Sequence, residues 1–228
     1  MKTSCMVPLT LVVLTYDEQR NLPTCLESVA GWIKDLIVLD SGSTDMTKEI
    51  AMGYDATIVE HPFETHAKQW EWALGNLPVS TEWVLCLDAD QRVTPDLRDE
   101  IIRLFTEEED SLTDLDGFYV KRRQVFRGRW IRHGGYYPKY MLKLFRKDAA
   151  RTDKQDLMDH HFYITGRAAK LRNDIIEDNH KERDITFWIE KHNRYARLLA
   201  EEEFRRVHGG VAWPIHPTLF GTPDQQAA

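Results

Sequence analysis

The first half of the chain alternates short runs of β-branched and other apolar residues with longer amphipathic stretches. Strands are predicted over residues 9–14, 36–39, 56–59 and 83–87, and helices over residues 21–32, 44–52 and 65–74. The apolar run at residues 83–87 is continuous, which indicates a strand buried on both faces. This order of elements predicts an α/β fold whose central sheet is mostly parallel, with helices on both sides.

The second half of the chain is less regular. Thr94 is a good N-cap and Pro95 a good first residue for a helix. Strand candidates follow at residues 117–120 and 141–145, and a last long helix is predicted over residues 184–206. We expect one domain over residues 1–206 and an irregular C-terminal tail over residues 207–228.

Composition narrows the class of protein. Of the 228 residues, 42% are hydrophobic, which is enough for a sizeable core and excludes a disordered chain. The 30 Lys and Arg against 37 Asp and Glu give a net charge of −7, which argues against nucleic-acid binding. Three cysteines are too few for a disulfide framework, so a reducing, cytoplasmic location is expected.

Positive charge is nonetheless concentrated between residues 121 and 147, in a segment that also carries aromatic residues. Its cations are Lys121, Arg122, Arg123, Arg127, Arg129, Arg132, Lys139, Lys143, Arg146 and Lys147. One interpretation is a loop that binds a phosphorylated acceptor or an anionic membrane surface. The alternative is a strand and loop whose arginines extend to solvent over apolar surface.

Polar clusters follow three of the predicted strands, at residues 15–18, 40–45 and 88–90. The carboxyl ends of parallel strands form the edge at which α/β proteins bind ligands. If the fourth strand continues through Asp88 and Asp90, both carboxylates face one side. Mg²⁺ is commonly held by one or two carboxylates together with substrate phosphates. We therefore favour a site for a metal and a diphosphate over two solvated aspartates.

Other nucleotide-binding classes lack their motifs here. The sequence contains neither G-x-G-x-x-G nor G-x-x-x-x-G-K-[ST], which weakens dinucleotide-dependent oxidoreductase and P-loop interpretations. Ser43 and Thr44 are suited to cap the next helix, and Asp40 is suited to accept hydrogen bonds from a base or ribose.

Three motifs together resemble the inverting family-2 glycosyltransferases of the GT-A fold: V-V-L-T-Y-D-E at residues 12–18, V-L-D-S-G-S-T-D at residues 38–45 and W-V-L-C-L-D-A-D at residues 83–90. Four further segments, at residues 66–74, 134–146, 158–161 and 188–196, are similar to the bacterial subgroup that builds lipopolysaccharide core and related surface glycans. Relatives carry a hydrophobic and basic extension beyond the part that resembles residues 217–221, so the tail here is either truncated or naturally short.

The resemblance implies roles for individual residues. The nucleotide pocket would be lined by Thr15, Tyr16, Glu18, Asp40, Ser43, Asp88 and Ala89. A divalent cation, Mg²⁺ or Mn²⁺, would be bound by Asp90 and His180, with Asp178, Asn179 and His180 near the donor diphosphate. The alternative for His180 is a loop histidine before the last helix. The chain would then be a metal-dependent inverting transferase that moves a sugar from a nucleotide sugar, with UDP favoured, to a lipopolysaccharide-core, other glycan or lipid-linked acceptor. Peripheral contact with the inner membrane through residues 121–147 is also expected.

The catalytic base is the open point of this interpretation. The subgroup reads M-D-E-H where this chain has M-D-H-H at residues 158–161, so either Asp159 or His160 is the candidate. Gln91 and Glu71 also depart from the usual pattern. The alternatives are therefore a catalytically impaired binding or scaffold protein, or a sugar nucleotidyltransferase. The latter would need a glycine-rich phosphate loop after the first strand, and residues 16–20 lack one.

Overall fold

A computed structural model describes residues 6–158 and 160–209 of the chain. The strands are β1 (Val7–Thr15), β2 (Ile33–Asp40), β3 (Thr57–Glu60), β4 (Trp83–Asp88), β5 (Gln91–Val93), β6 (Gly117–Phe126), β7 (Arg129–Trp130), β8 (Lys139–Arg146), β9 (Ala150–Arg151), β10 (Tyr163–Ile164) and β11 (Ala168–Asp178). The helices are α1 (Leu22–Glu27), α2 (Thr47–Gly53), α3 (His66–Asn76), α4 (Pro95–Thr106) and α5 (Ile185–His208). Two 3₁₀ turns lie at Glu109–Leu112 and His180–Arg183.

The main sheet has the strand order β3-β2-β1-β4-β8-β6-β11-β5, with β7 paired to β6. The first four strands of this order are all parallel, as predicted. Strand β8 runs antiparallel between β4 and β6, whereas β11 lies parallel to β6. This arrangement confirms the single-domain α/β fold with a mostly parallel central sheet.

The sheet is strongly curled. Asp88 and Gln91 are three peptide steps apart, so their Cα atoms are separated by no more than about 11 Å. Along the sheet, however, β4 and β5 are four strand spacings apart, which is about 19 Å. The two distances agree only if the sheet bends so that β5 returns toward the end of β4.

The core lies on both faces of the sheet, and β4 contributes to each. Trp83, Leu85 and Leu87 pack in one hydrophobic cluster, while Val84 and Cys86 pack in the other. Burial of β4 on both faces is thus confirmed. Cys25 and Cys86 are buried free thiols, and burial raises the pKa of each. They pack as small apolar side chains; Cys5 lies outside the described residues.

Some helix ends follow the prediction and others do not. Ser43 and Thr44 were expected to cap the second helix, but α2 begins at Thr47 after Met46, and no side chain of the described residues caps it.

Thr94 accepts a hydrogen bond from the Leu97 amide, which confirms the predicted N-cap of α4. Helix α1 was expected to reach residue 32, but it stops at Glu27. Gly31 has a φ of +81°, which helical backbone does not allow, and the chain turns there into β2.

The C-terminal helix runs two residues past the predicted domain boundary at residue 206. The irregular tail expected over residues 207–228 lies outside the described part of the chain from residue 210 onward. None of the helices in the described ranges is both long enough and apolar enough to cross a membrane.

Candidate functional site at the carboxyl edge of the sheet

The three polar clusters meet at one edge, as predicted. Thr15 at the end of β1 is level with Asp40 at the end of β2. On the other side of β1, Leu14 is level with Asp88 at the end of β4. Residues 15–18, 40–45 and 88–90 therefore lie together at the carboxyl ends of three adjacent parallel strands.

Asp40 organises the loop after β2. Its carboxylate is fully buried and accepts hydrogen bonds from the hydroxyls of Thr15 (2.9 Å) and Ser43 (2.5 Å). The amides of Gly42 (3.0 Å) and Ser43 (2.8 Å) donate to its other oxygen. Four donors thus compensate for burying this charge. The contact with a nucleotide that the resemblance implies for Asp40, Thr15 and Ser43 stays a prediction beside this structural role.

The loop after β1 is fastened to the loop after β2. The Asp17 amide donates to the Ser43 hydroxyl (2.9 Å), and the Asp17 carboxylate accepts from the Thr44 amide (2.8 Å). The Glu18 amide donates to the Thr47 hydroxyl (2.7 Å). Between these anchors, Tyr16 is 59% exposed, so its ring is available to a ligand at the edge of the sheet.

The turn after β4 does not meet the condition under which both carboxylates would face one side of a strand. Strand β4 was predicted over residues 83–87 and ends at Asp88, and residues 89 and 90 form a turn into β5. Alternation along a strand therefore does not determine how Asp88 and Asp90 are oriented. Lys143, whose side chain is almost fully buried, forms an ion pair with Asp88 at 3.0 Å. Ala89, which separates Asp88 and Asp90 in the sequence, is buried.

Asp90 is half-buried, with few partners for its charge. Within the described ranges, Asn179 Nδ2 is the one hydrogen-bond donor to its carboxylate, at 3.0 Å. Burial, together with the nearby charges of Glu177 and Asp88, raises the pKa of Asp90 well above its usual range, and the Lys191 ammonium offsets this only in part. The turn therefore concentrates negative charge that the described residues only partly compensate.

A chain of polar side chains connects this turn to the loop after β1. Glu18 accepts from Asn21 Nδ2 (2.8 Å), and Asn21 Nδ2 also donates to Asn179 Oδ1 (3.1 Å). Asn179 in turn donates to Asp90. Lys181 forms an ion pair with Glu18.

Of the residues in this polar chain, Asn179 was placed near the donor diphosphate by the resemblance, together with Asp178 and His180, whereas Asn21 and Lys181 were not predicted. The polar run that continues from Asn179 to Lys181 was the signal that could have indicated Lys181.

His180 is fixed by its neighbours on this edge. Its amide donates to Asn21 Oδ1 (2.8 Å), and Nδ1 lies 3.1 Å from the carbonyl oxygen of Arg20. With a proton on Nδ1, this contact leaves Nε2 as the ring's acceptor, 3.6 Å from Asp178 Oδ2. The carbonyl contact thus fixes the orientation of the ring, and Nε2 faces the Asp178 carboxylate.

The residues fit a hard divalent cation. Asp90 offers a carboxylate whose charge is repelled by Glu177 and Asp88, and a cation would relieve that repulsion. The described ranges contain no cluster of three or more potential metal ligands from His, Cys, Asp and Glu. Where substrate phosphates supply the remaining ligands, one or two carboxylates are sufficient.

The two candidate bases are Asp159 and its neighbour His160. His160 is 3% exposed, with its ring 5.5 Å from the Trp70 ring and 5.1 Å from the Phe162 ring between centroids. These are the surroundings of a packed aromatic side chain. Asp159 lies outside the described residues.

The two other departures from the family pattern have partners here. Gln91 is buried; its Nε2 donates to Glu177 (2.8 Å) and its Oε1 accepts from the Asp88 amide (3.2 Å). Glu71 pairs with Lys154 at 2.7 Å on the surface. Gln91 thus holds the turn against β11.

The basic segment at residues 121–147 is not a continuous cationic face. Its pairs within the domain are Lys121 and Arg123 with Asp174, Arg122 with Glu177, Lys143 with Asp88, and Arg146 with Glu82. Arg127, Arg129 and Arg132 are exposed around the β6–β7 turn. The Arg132 guanidinium lies over the Trp130 ring, 4.3 Å from its centroid. The expected contact of this segment with a phosphorylated acceptor or an anionic membrane therefore rests mainly on the exposed arginines of this turn.

Comparison with protein families gives one match over most of the chain. The family described as Glycosyl transferase family 2 matches residues 10–175.

Individual relatives have limited sequence identity to this chain. The lipopolysaccharide core biosynthesis glycosyltransferase LpsC of Rhizobium meliloti is 25% identical over 227 residues, which cover 95% of this chain and 78% of that protein. An uncharacterized glycosyltransferase of Rickettsia conorii is 32% identical over 105 residues, or 46% of this chain and 36% of that protein. The chain thus spans only about a third of the length of the Rickettsia relative.

Solved structures share the fold. Residues 1–349 of S. aureus TarS in complex with UDP match 86% of this chain and 65% of that one, with a TM-score of 0.52 and 18% identity. Glucosyl-3-phosphoglycerate synthase from Mycobacterium tuberculosis, in complex with Mn²⁺, UDP and phosphoglyceric acid, covers 86% of this chain and 78% of that one, with a TM-score of 0.50 and 14% identity.

Proposed function

The chain belongs to glycosyl transferase family 2, and from that premise we propose that it is a metal-dependent inverting glycosyltransferase with a UDP-sugar donor and a lipopolysaccharide-core or other surface-glycan acceptor. The observation that carries the metal-dependent part is Asp90, which combines a single described hydrogen-bond donor with two nearby carboxylates. Family membership favours a transferase over the sugar nucleotidyltransferase that the sequence left open.

In this proposal the donor diphosphate binds at the turn after β4. Asp90, with His180 beside it, would hold Mg²⁺ or Mn²⁺, which neutralises charge on the departing nucleoside diphosphate. Asn179 keeps the Asp90 carboxylate in place through its 3.0 Å hydrogen bond. Lys143 holds Asp88 at the end of β4, next to the ribose or cation.

The nucleoside would lie along the ends of β1 and β2. The exposed ring of Tyr16 offers a face for stacking, while Thr15, Ser43 and Asp40 keep the loop beneath it rigid. Glu18, fixed by Asn21 and Lys181, and the buried backbone at Ala89 complete the proposed pocket. A UDP complex of a protein with the same fold makes UDP the first nucleotide to test.

The acceptor is proposed from the relatives. The similarity to LpsC extends over 95% of this chain, which favours an acceptor in lipopolysaccharide core. The acceptor hydroxyl would lose its proton to Asp159 or His160. Exposed cations at the β6–β7 turn would contact phosphates of a lipid-linked acceptor or of the cytoplasmic face of the inner membrane.

The test is release of nucleoside diphosphate by the purified protein with Mg²⁺ or Mn²⁺, across UDP-, GDP- and dTDP-sugars, beside calorimetric binding of each nucleotide. Slow hydrolysis of one donor, lost in EDTA and in Asp90→Asn, is the expected result. Nucleotide binding without turnover, even with a lipopolysaccharide-core acceptor present, would instead favour the binding or scaffold alternative. Absence of any nucleotide binding would overturn the proposed donor site.

A further inference from the structure

The last turns of α5 carry a buried charged pair that the mechanism above does not use. Glu202 and Arg206 are the buried residues of this 24-residue helix. The Arg206 side chain is only 1% exposed. A buried guanidinium is tolerated only when it has charged and hydrogen-bonding partners, so its contacts show what this end of the helix holds.

Arg206 reaches from α5 to the segment that precedes the candidate bases. Its Nη2 lies 3.1 Å from Asp153 Oδ2 and 2.7 Å from Asp156 Oδ1, and its Nε lies 3.2 Å from Glu202 Oε1. Glu202 Oε2 accepts a further hydrogen bond from the Leu157 amide at 2.9 Å. The rigid fork of an arginine is suited to hold two carboxylates in one geometry.

The part of the chain around these contacts is attached to α3 on both sides, at Thr152 and at His160. At its start, the Thr152 hydroxyl donates to the carbonyl oxygen of Ala67 on α3, at 3.0 Å. At its end, the ring of His160 packs against Trp70, also on α3. The part that Arg206 contacts therefore leads toward His160, which packs on α3.

We propose that Arg206 is a positioning residue for transfer: through Asp153, Asp156 and Glu202 it sets the place of residues 153–157, which lead toward the candidate base His160. The inference rests on the proposed function, in which His160 is one of the two candidates that would take the acceptor proton. Displacement of a reacting group by about 1 Å costs on the order of 100-fold in rate. Loss of the guanidinium leaves three carboxylates close together, and their repulsion would move the segment outward.

The experiment compares Arg206→Gln and Arg206→Lys with Arg205→Gln as the matched control. Arg205 is adjacent, exposed and paired with Glu201 within the same helix. We expect Arg206→Gln to lower kcat by about 100-fold, with the Kd for UDP and the donor KM within about twofold of wild type. Arg206→Lys, which keeps the charge but not the fork, should recover part of kcat. The control should match wild type.

A second measurement does not depend on turnover. Hydrogen exchange of the amides at residues 153–158 should be at least about tenfold faster in Arg206→Gln, while amides of the loops after β1 and β2 remain as in wild type. Unchanged exchange at residues 153–158 would overturn the contact's role in holding the segment. If kcat, UDP affinity and protection throughout the domain all fall together, Arg206 is structural and the positioning role is overturned.

The two proposals fail in different ways. If the wild-type protein turns over no donor, the proposed function fails and the positioning role falls with it. In that case the exchange measurement still decides whether Arg206 holds residues 153–158. If wild type is active and Arg206→Gln retains its kcat, the positioning role fails and the proposed function stands.

Discussion

The loop after β2 and the turn after β4 each place an acidic residue at the same edge of the sheet, and they differ in how its charge is compensated. Asp40 is fully buried, and four donors from its own and the neighbouring loop reach its two oxygens. Asp90 has Asn179 as its one donor in the described ranges, with Glu177 and Asp88 close by. A charge compensated within the fold stabilises the loop, whereas an excess of charge favours binding of a cation.

The largest expected effect concerns Asp90. Asp90→Asn keeps the size of the side chain and its contact with Asn179 but removes the charge. We expect metal-dependent release of nucleoside diphosphate to fall by about 1,000-fold, because charge stabilisation by a bound cation is worth several kcal/mol. The free energy of unfolding in EDTA should not fall, since repulsion from Glu177 and Asp88 is relieved.

The matched control is Asp99→Asn, an exposed carboxylate on α4. Asp99→Asn should leave both the release of nucleoside diphosphate and the free energy of unfolding unchanged. If turnover by Asp90→Asn stays within about tenfold of wild type, Asp90 does not bind a cation that turnover requires.

The second effect concerns Asp40. Asp40→Ala removes the acceptor of four hydrogen bonds and leaves buried donors unsatisfied. The free energy of unfolding should therefore fall by about 3 kcal/mol, measured by urea denaturation. Asp99→Ala, at an exposed helical position, should cost less than about 0.5 kcal/mol. Equal costs for the two variants would mean that Asp40 does not stabilise the loop.

A third experiment adds negative charge to the turn after β4. Gln91→Glu places a carboxylate where Gln91 Nε2 now donates to Glu177. We expect a loss of about 2 kcal/mol in the free energy of unfolding at pH 7. The shared repulsion raises the pKa of the introduced pair in the folded state, so stability should recover as the pH falls toward 5.

Gln155→Glu, at an exposed position in the loop between β9 and β10, is the control for adding one negative charge. A loss that is the same at pH 7 and pH 5 would attribute the effect to shape rather than to charge.

The smallest effect concerns Asp45, in the loop after β2. Partial burial favours its neutral form, but hydrogen bonds from the Thr47 hydroxyl, the Gln19 amide and the Thr47 amide outweigh it and lower the pKa of Asp45. Its contribution is therefore present above its unfolded pKa of about 3.9 and is lost as the pH falls through the lower folded value. Asp45→Asn should cost about 1 kcal/mol at pH 7 and almost nothing near pH 2, measured by thermal denaturation. A cost that persists at low pH would contradict this.

The parallel half of the fold could be predicted because its signals are local. Each of β1 to β4 is a compact apolar run, and Thr94 and Pro95 mark the start of α4 by themselves. Strand β11 was not predicted, since charged and polar residues interrupt its apolar pattern. Its Asp174 and Glu177 are compensated by cations on β6, about 50 residues earlier, and a sequence does not show such pairing.

The candidate site also has a part that local sequence predicts and a part that depends on distant residues. The strand-end clusters at residues 15–18, 40–45 and 88–90 were brought together as predicted, because parallel strands share their carboxyl edge. The residue that holds Asp90, Asn179, lies 89 positions away, and the turn at residues 89–90 depends on β5 pairing with β11. The link from Arg206 to residues 153–157 is equally non-local. Spacing along the chain does not indicate these contacts.

The curl of the sheet gives the turn after β4 a mechanical position as well as a chemical one. The two-residue link at Ala89 and Asp90 joins the middle of the sheet to its far margin, and Gln91 and the Asp90 carbonyl fasten that link to β11. The strands β8, β6 and β11 thus form an arc, and the acidic turn after β4 connects its two ends. Because β6 and β11 belong to this arc, a change in its curvature caused by binding at the β6–β7 turn would also change the position of Asp90.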